Sequence, residues 1–116
     1  IFGDGSQTRD YVYVGDVVDA NVRAATRPLP KAGRLDARAF NIGTGVATSV
    51  VALAAALQAA AGTNLSNEFA PHRPGEQMRS FVDISKARDE LDWSPATTLA
   101  DGLAQTFRWF AAHYVA

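Results

Sequence analysis

There is no cysteine in these 116 residues, and only two histidines and one methionine. Without thiols the chain has neither disulfides nor thiolate metal sites, which agrees with a cytoplasmic home. Two histidines, His72 and His113, give no zinc-ligand spacing. Net charge is equally scarce. Eleven lysines and arginines against 12 aspartates and glutamates leave −1, which gives no support for a nucleic-acid partner or a charged membrane surface. The alanine-rich stretch from Val50 to Ala61 is too short to span a bilayer. No Gly-x-Ser-x-Gly elbow, His-Glu-x-x-His pair or Walker-type loop occurs. The chain opens at Ile1 with neither a methionine nor a charged-then-apolar leader, a start expected of a cut inside a longer protein.

What is present fits one modest domain over residues 1–116, with 47% hydrophobic and 20% charged residues. Gly3-Asp4-Gly5 reads as a hairpin turn, since its spacing is not that of a phosphate loop. Tyr11 to Val14 is aromatic and β-branched, a strand pattern. Asp16 is placed to cap a helix over Val17–Arg27, with Val18, Val22 and Ala25 apolar and Asp19, Arg23 and Arg27 on one polar face. A Pro/Gly-marked loop follows from Pro28 to Ala37, then a strand over Arg38–Gly43. Thr48-Ser49 caps a helix from Val50 to Ala61, which Gly62 closes. Weaker strand patterns cover Leu65–Ala70 and Ser80–Asp83. Ser85 caps a short helix to Leu91, with Lys86 and Glu90 spaced as an ion pair, and Pro95 prevents its continuation. Thr98 and Asp101 open a last helix from Leu99 to about His113, with Leu103, Phe107, Phe110 and Tyr114 as its apolar stripe. The fold class expected is α/β (α+β): a small mixed sheet with about four helices.

The chemistry concentrates in His72-Arg73-Pro74-Gly75-Glu76-Gln77-Met78-Arg79. Pro74 and Gly75 favour a tight turn that puts Arg73 and Glu76 on one rim. A guanidinium fork suits phosphate oxygens, and a carboxylate suits sugar hydroxyls. Arg9, Arg73 and Arg79 lie near turns rather than along helix faces, and two such forks would hold a pyrophosphate. The plain alternatives are a solvated charged turn, an Arg9 pair with Asp10 or Asp16, and core roles for Tyr11, Tyr13 and Asn41. No paired acid and base is marked, so the residues alone describe a binding domain rather than a whole enzyme.

The order of the motifs adds to this. Gly3-Asp4-Gly5-Ser6-Gln7-Thr8-Arg9-Asp10-Tyr11-Val12-Tyr13-Val14-Gly15-Asp16-Val17-Val18-Asp19-Ala20 closely resembles a segment of the NAD-dependent epimerase/dehydratase family, the extended short-chain dehydrogenases such as the UDP-glucose 4-epimerases. Phe40 to Gly45, Thr48 to Val50, Arg73 to Glu76, Asp83 to Ala87, Leu91 to Pro95 and Thr98 to Leu103 resemble the following family blocks, in family order. The resemblance implies that Arg9 and Arg73 hold the diphosphate of a UDP-sugar or related nucleotide sugar, that Glu76 faces the ribose, and that Gln7 lies toward the sugar.

The same resemblance implies two missing parts. The family's glycine-rich βα turn for NAD is not in these residues. Nor is its tyrosine with lysine four residues on: Tyr11 is followed at that spacing by Gly15, and Tyr13 by Val17. The chain thus resembles the C-terminal, substrate-binding part of such an enzyme without its Rossmann domain. NAD is expected for the full-length enzyme and no cofactor for this chain alone. The helix after Tyr11–Val14 and the segment Phe40–Gly43 would pack on the missing domain in the family. Left bare, they favour self-association or a local rearrangement. A reading from another class is a stand-alone, non-catalytic nucleotide-binding or assembly module.

Overall fold

A computed structural model of the chain describes residues 1–29, 33 and 36–114. The elements run β1 (Thr8–Arg9), α1 (Val14–Thr26), β2 (Thr48–Ser49), α2 (Val50–Ala61), α3 (Ser85–Leu91) and α4 (Leu99–Tyr114). Residues 30–32 and 34–35 of the expected loop lie outside the described residues. The fold class is as the sequence implies: a small α/β unit of four helices and a little sheet. β1 and β2 pair antiparallel, with Thr8 opposite Ser49 and Arg9 opposite Thr48. Single parallel bridges join Thr8 to Arg79 and Phe2 to Ala70.

Where the sequence carries its own stop and start chemistry, the elements match expectation. Ser49 accepts the Ala52 amide at 3.2 Å, and Gly62 closes α2 at φ 66°, a left-handed conformation that glycine adopts without Cβ strain. Thr98 Oγ1 accepts the Asp101 amide at 3.1 Å and donates to Asp101 Oδ2 at 2.6 Å, so both members of the expected box are used.

Two longer strands do not form among the described residues. Tyr11–Val14 carries no ladder, and α1 already begins at Val14, three residues before the expected Val17. Strand propensity describes a side chain's fit to a pleated neighbour, and here no neighbour pairs. The Thr44 and Gly45 amides bond to the Asp10 carboxylate. Arg38–Gly43 is likewise irregular. Carbonyls of Asp36, Ala37 and Ala39 accept from Lys86 Nζ at 2.5, 3.2 and 3.0 Å. Lys86, expected to pair with Glu90, therefore ties this segment to α3 and lies over the Phe40 ring. The weaker strand over Leu65–Ala70 reduces to the bridge at Ala70, and Ser80–Asp83 forms none, the bridge falling one residue earlier at Arg79.

Two caps also differ. Asp16 sits inside the first turn of α1 and is buried. Its carboxylate accepts the Thr97 amide at 3.0 Å and hydroxyl at 3.2 Å. At α3 it is Asp83, not Ser85, that supplies the carboxylate, accepting the Ser85 amide at 2.8 Å.

The core lies between α1 and α3. Ala20, Ile84, Ala87, Leu91 and Trp93 are buried, with Ala24, Leu29, Phe40, Ile42 and Val82 packed against them. Trp93 is the largest side chain there, and its Nε1 donates to the Asp16 carbonyl at 3.0 Å. α2 packs chiefly on α4. Beyond Leu103 the α4 stripe loses its partner: Phe107, Phe110 and Tyr114 are exposed, and the rings of Trp109, Phe110 and Tyr114 pack on one another.

Candidate functional site

β1 sits in the middle of a small notch. On one side it meets β2. On the other, the Thr8 amide donates to the Met78 carbonyl at 2.8 Å, and the Ser80 amide donates to the Thr8 carbonyl at 3.1 Å. This arrangement brings the charged turn beside β1. The turn itself closes through Glu76 N–H to the Arg73 carbonyl at 3.2 Å, with Gly75 at φ 76° as the glycine predicted there.

Three of the four residues singled out from the sequence meet at one carboxylate. Glu76 Oε1 accepts Gln7 Nε2 at 3.4 Å and lies 4.0 Å from Arg9 Nη2. Gln7 is buried and also donates to the Phe2 carbonyl at 3.1 Å. Arg9 Nη1 donates to the Thr8 carbonyl at 2.8 Å. The fourth residue, Arg73, reaches the cluster through Phe2: its Cζ lies 3.6 Å from the centre of the Phe2 ring. The expected alternatives for Arg9, pairs with Asp10 or Asp16, are replaced by the approach to Glu76. Arg79 lies over Phe81 instead.

Two polar atoms of this notch, Glu76 Oε2 and Thr8 Oγ1, are buried without a hydrogen-bond partner. A buried polar atom left unpaired costs about 1–3 kcal/mol, so each would be stabilised by a hydroxyl or water donor that displaced the groups now covering it. The guanidinium forks add donors with open edges. An arginine stacked face-on keeps its in-plane N–H groups free for phosphate oxygens. Among the described residues the notch gathers guanidinium donors and carboxylate acceptors and no general acid–base pair.

A buried-side organiser was missed in the sequence. Asp10 adjoins Arg9, and its carboxylate accepts from the Thr44 amide (2.7 Å), the Thr44 hydroxyl (2.5 Å), the Gly45 amide (2.9 Å) and the Val82 amide (3.5 Å). Burial pushes this carboxyl up, but the hydrogen bonds from Thr44, Gly45 and Val82 together outweigh it, and the net direction is down. Gly43 beside it is required: a Cβ there would meet Asp10 Oδ2 at 2.6 Å and Val82 Cγ2 at 2.5 Å. The signal in the sequence was the glycine pair of Gly43-Thr44-Gly45, which bares amides for one carboxylate. Asn41, expected as a buried amide, is exposed, though it does tie the turn to Asp83, donating to its carbonyl at 3.3 Å.

The remaining candidates serve structure. His72 contacts Met78 Sδ at 3.4 Å, and His113 stacks on Trp109. Among the described residues no three metal-ligating side chains converge, and no helix is long and apolar enough to cross a membrane. Two adjoining cavities of about 340 and 380 Å³ share Tyr11 and Thr97–Leu99.

The N-terminus of α2 does not offer a dinucleotide cradle. Such a cradle needs free amides at a helix N-terminus behind a glycine-rich turn. The first amides of α2 are already taken: Val50 N–H donates to the Gln7 carbonyl at 3.1 Å, Val51 N–H to the Gly5 carbonyl at 3.2 Å, and Ala52 N–H to Ser49. The Gly3–Gly5 turn thus supports α2 and leads into β1, not into a helix.

Comparison with known proteins agrees with this architecture. Its helices and sheet superpose on about a third of a UDP-glucose 4-epimerase. A family model described as GDP-mannose 4,6 dehydratase matches residues 1–106, and the chain belongs to that NAD-dependent epimerase/dehydratase family. It is 48% identical over 110 residues to a UDP-glucose 4-epimerase of Mycolicibacterium smegmatis, covering 95% of this chain and 33% of that one. The UDP-glucose 4-epimerase of Thermotoga maritima, solved with UDP-glucose, superposes with a TM-score of 0.84 at 38% identity, covering 97% of this chain and 34% of that one. A UDP-glucuronic acid 4-epimerase of Bacillus cereus, solved with UDP-glucuronic acid and NAD, gives 0.86 at 32% identity, covering 98% and 35%. The chain spans about a third of the length of the curated relatives it matches.

Proposed function

We propose that this chain is the nucleotide-sugar-binding part of an NAD-dependent sugar epimerase of the UDP-glucose 4-epimerase type. In this reading Arg9 and Arg73 hold the diphosphate, Glu76 orients the ribose, and Gln7 fixes Glu76 and borders the sugar. The observation that carries it is the meeting of Gln7, Arg9 and Glu76 at one carboxylate whose second oxygen is buried and unpaired. A ribose hydroxyl donating to that oxygen would relieve the unpaired acceptor. The names of the relatives support the substrate class, since several are UDP-sugar epimerases. NAD belongs to the whole enzyme, where it would supply hydride chemistry; the residues of this chain bind and orient the sugar nucleotide. Anchoring the remote nucleotide in this way positions a sugar carbon for reaction elsewhere. A cysteine-free chain suits the cytoplasm.

Calorimetric titration with UDP, UMP and uridine tests the reading. Charge-assisted bonds contribute roughly 1.5–3 kcal/mol each. UDP should therefore bind more tightly than uridine, and Arg9→Ala or Arg73→Ala should weaken UDP about tenfold or more while sparing uridine. Equal affinity for UDP and uridine, or unchanged UDP binding in both variants, would refute it.

A further inference from the structure

Phe2 stands where the two halves of the notch meet. Its backbone bridges Ala70, with Gly3 N–H donating to the Ala70 carbonyl at 2.9 Å and Ala70 N–H to the Ile1 carbonyl at 2.7 Å. Its own carbonyl accepts Gln7 Nε2 at 3.1 Å. Its ring, 39% exposed by residue, lies under the Arg73 guanidinium. Arg73 makes no side-chain hydrogen bond or ion pair among the described residues, so the ring is what restrains its plane. A long unpaired arginine samples many rotamers, and a face-on contact to an aromatic ring favours one orientation of the fork while leaving its edge donors open.

We infer that Phe2 is a positioning residue for diphosphate binding: its ring holds the Arg73 guanidinium in place while its carbonyl holds the Gln7 amide. This rests on the proposed nucleotide-sugar reading and assigns the site a member that never touches phosphate through a charge. An apolar side chain without a π face would keep the local packing and lose the platform.

UDP titrations of the parent, Phe2→Leu, Phe2→Tyr, Arg73→Ala and the double variant Phe2→Leu/Arg73→Ala, each with a thermal melt, decide it. Phe2→Leu should weaken UDP about two- to fivefold, the size of a cation–π contact at an exposed site, with a fall in melting temperature of no more than about 5 °C. Phe2→Tyr should bind like the parent. The double variant should bind no more weakly than Arg73→Ala alone, because the ring acts only through that arginine. Phe2→Leu binding like the parent, or additive losses in the double variant, would overturn the inference. Absence of UDP binding, or Arg73→Ala binding like the parent, would overturn the nucleotide-sugar reading and with it any role of Phe2 in binding. The Arg73 Nε–Hε resonance separates the two failures. A ring-current shift in the parent that vanishes in Phe2→Leu supports the platform, and no such shift overturns it whatever UDP does.

Discussion

Glu76 has to satisfy two demands at once. One oxygen faces Gln7 and Arg9, and the other is buried without a partner. A carboxylate held this way is already oriented, and a sugar hydroxyl reaches its buried oxygen once the groups covering it give way. If Glu76 reads the ribose, the parent should prefer UDP to 2′-deoxy-UDP. Glu76→Ala should bring the two affinities close to equal, from a preference of roughly tenfold, as expected for one hydrogen bond to a charged group. Competition titration measures the ratio directly, and a ratio unchanged by the substitution would remove Glu76 from ribose recognition. Trp93 poses a different single-residue question. It is buried and its indole N–H donates to the Asp16 carbonyl. Trp93→Phe deletes that donor and part of the ring, so it should cost about 2–4 kcal/mol by the usual penalties for an unpaired group and a core cavity. Urea unfolding checks this, and a cost within experimental error would mean that the α1–α3 core does not depend on the indole.

At the scale of elements, local chemistry sets the helices and side-chain carboxylates set the rest. α2 was legible because Ser49, a run of alanines and Gly62 all state the same helix. Gly62 has no neighbour near its would-be Cβ, so Gly62→Ala should destabilise through conformation alone, by about 1 kcal/mol; a melt that does not move would contradict this. The strands were not legible. Tyr11–Val14 and Arg38–Gly43 have strand composition, but their pairing depends on distant groups: Asp10 takes the Thr44 and Gly45 amides, and Lys86 takes the carbonyls of Asp36, Ala37 and Ala39. A sequence window of a few residues contains neither partner. Arg9 and Glu76 stand out because charge at turns is a local signal, Gln7 only through the family resemblance, whereas Asp10 looked like a mere neighbour of Arg9. The Asp10 clasp also predicts a pH dependence. Its folded carboxyl titrates below the ordinary 3.8, so the unfolded chain takes up the proton first. The stability it contributes is therefore present above about pH 4 and lost as pH falls through and below it. The gap in unfolding free energy between the parent and Asp10→Asn should narrow as pH falls from about 5 to 3, and a gap constant over that range would show that the ionised carboxylate is not what holds the turn.

As a whole the molecule is broad and thin. Its radius of gyration is 17.1 Å, where a compact chain of this length would have about 13 Å. Its accessible surface is 8027 Å², against roughly 6,100 Å² for a compact monomer of its mass. The excess has a place. α1 turns Val14, Val18 and Val22 outward, four residues apart, at 66%, 56% and 54% exposure, and α4 exposes Trp109, Phe110 and Tyr114. Uncovered apolar faces of this kind associate in water. Alone in solution, the chain should show a sedimentation coefficient that rises with concentration, and Val18→Glu/Val22→Glu should reduce that rise. A concentration-independent monomer would contradict the expectation that bare faces drive self-association.

If Arg9, Arg73 and Glu76 together form a nucleotide-diphosphate site, a crystal structure of this chain with UDP should place the diphosphate between the Arg9 and Arg73 guanidinium groups, with a ribose hydroxyl on the unpaired oxygen of Glu76. UDP bound away from these three residues, or held by none of their side chains, would contradict it.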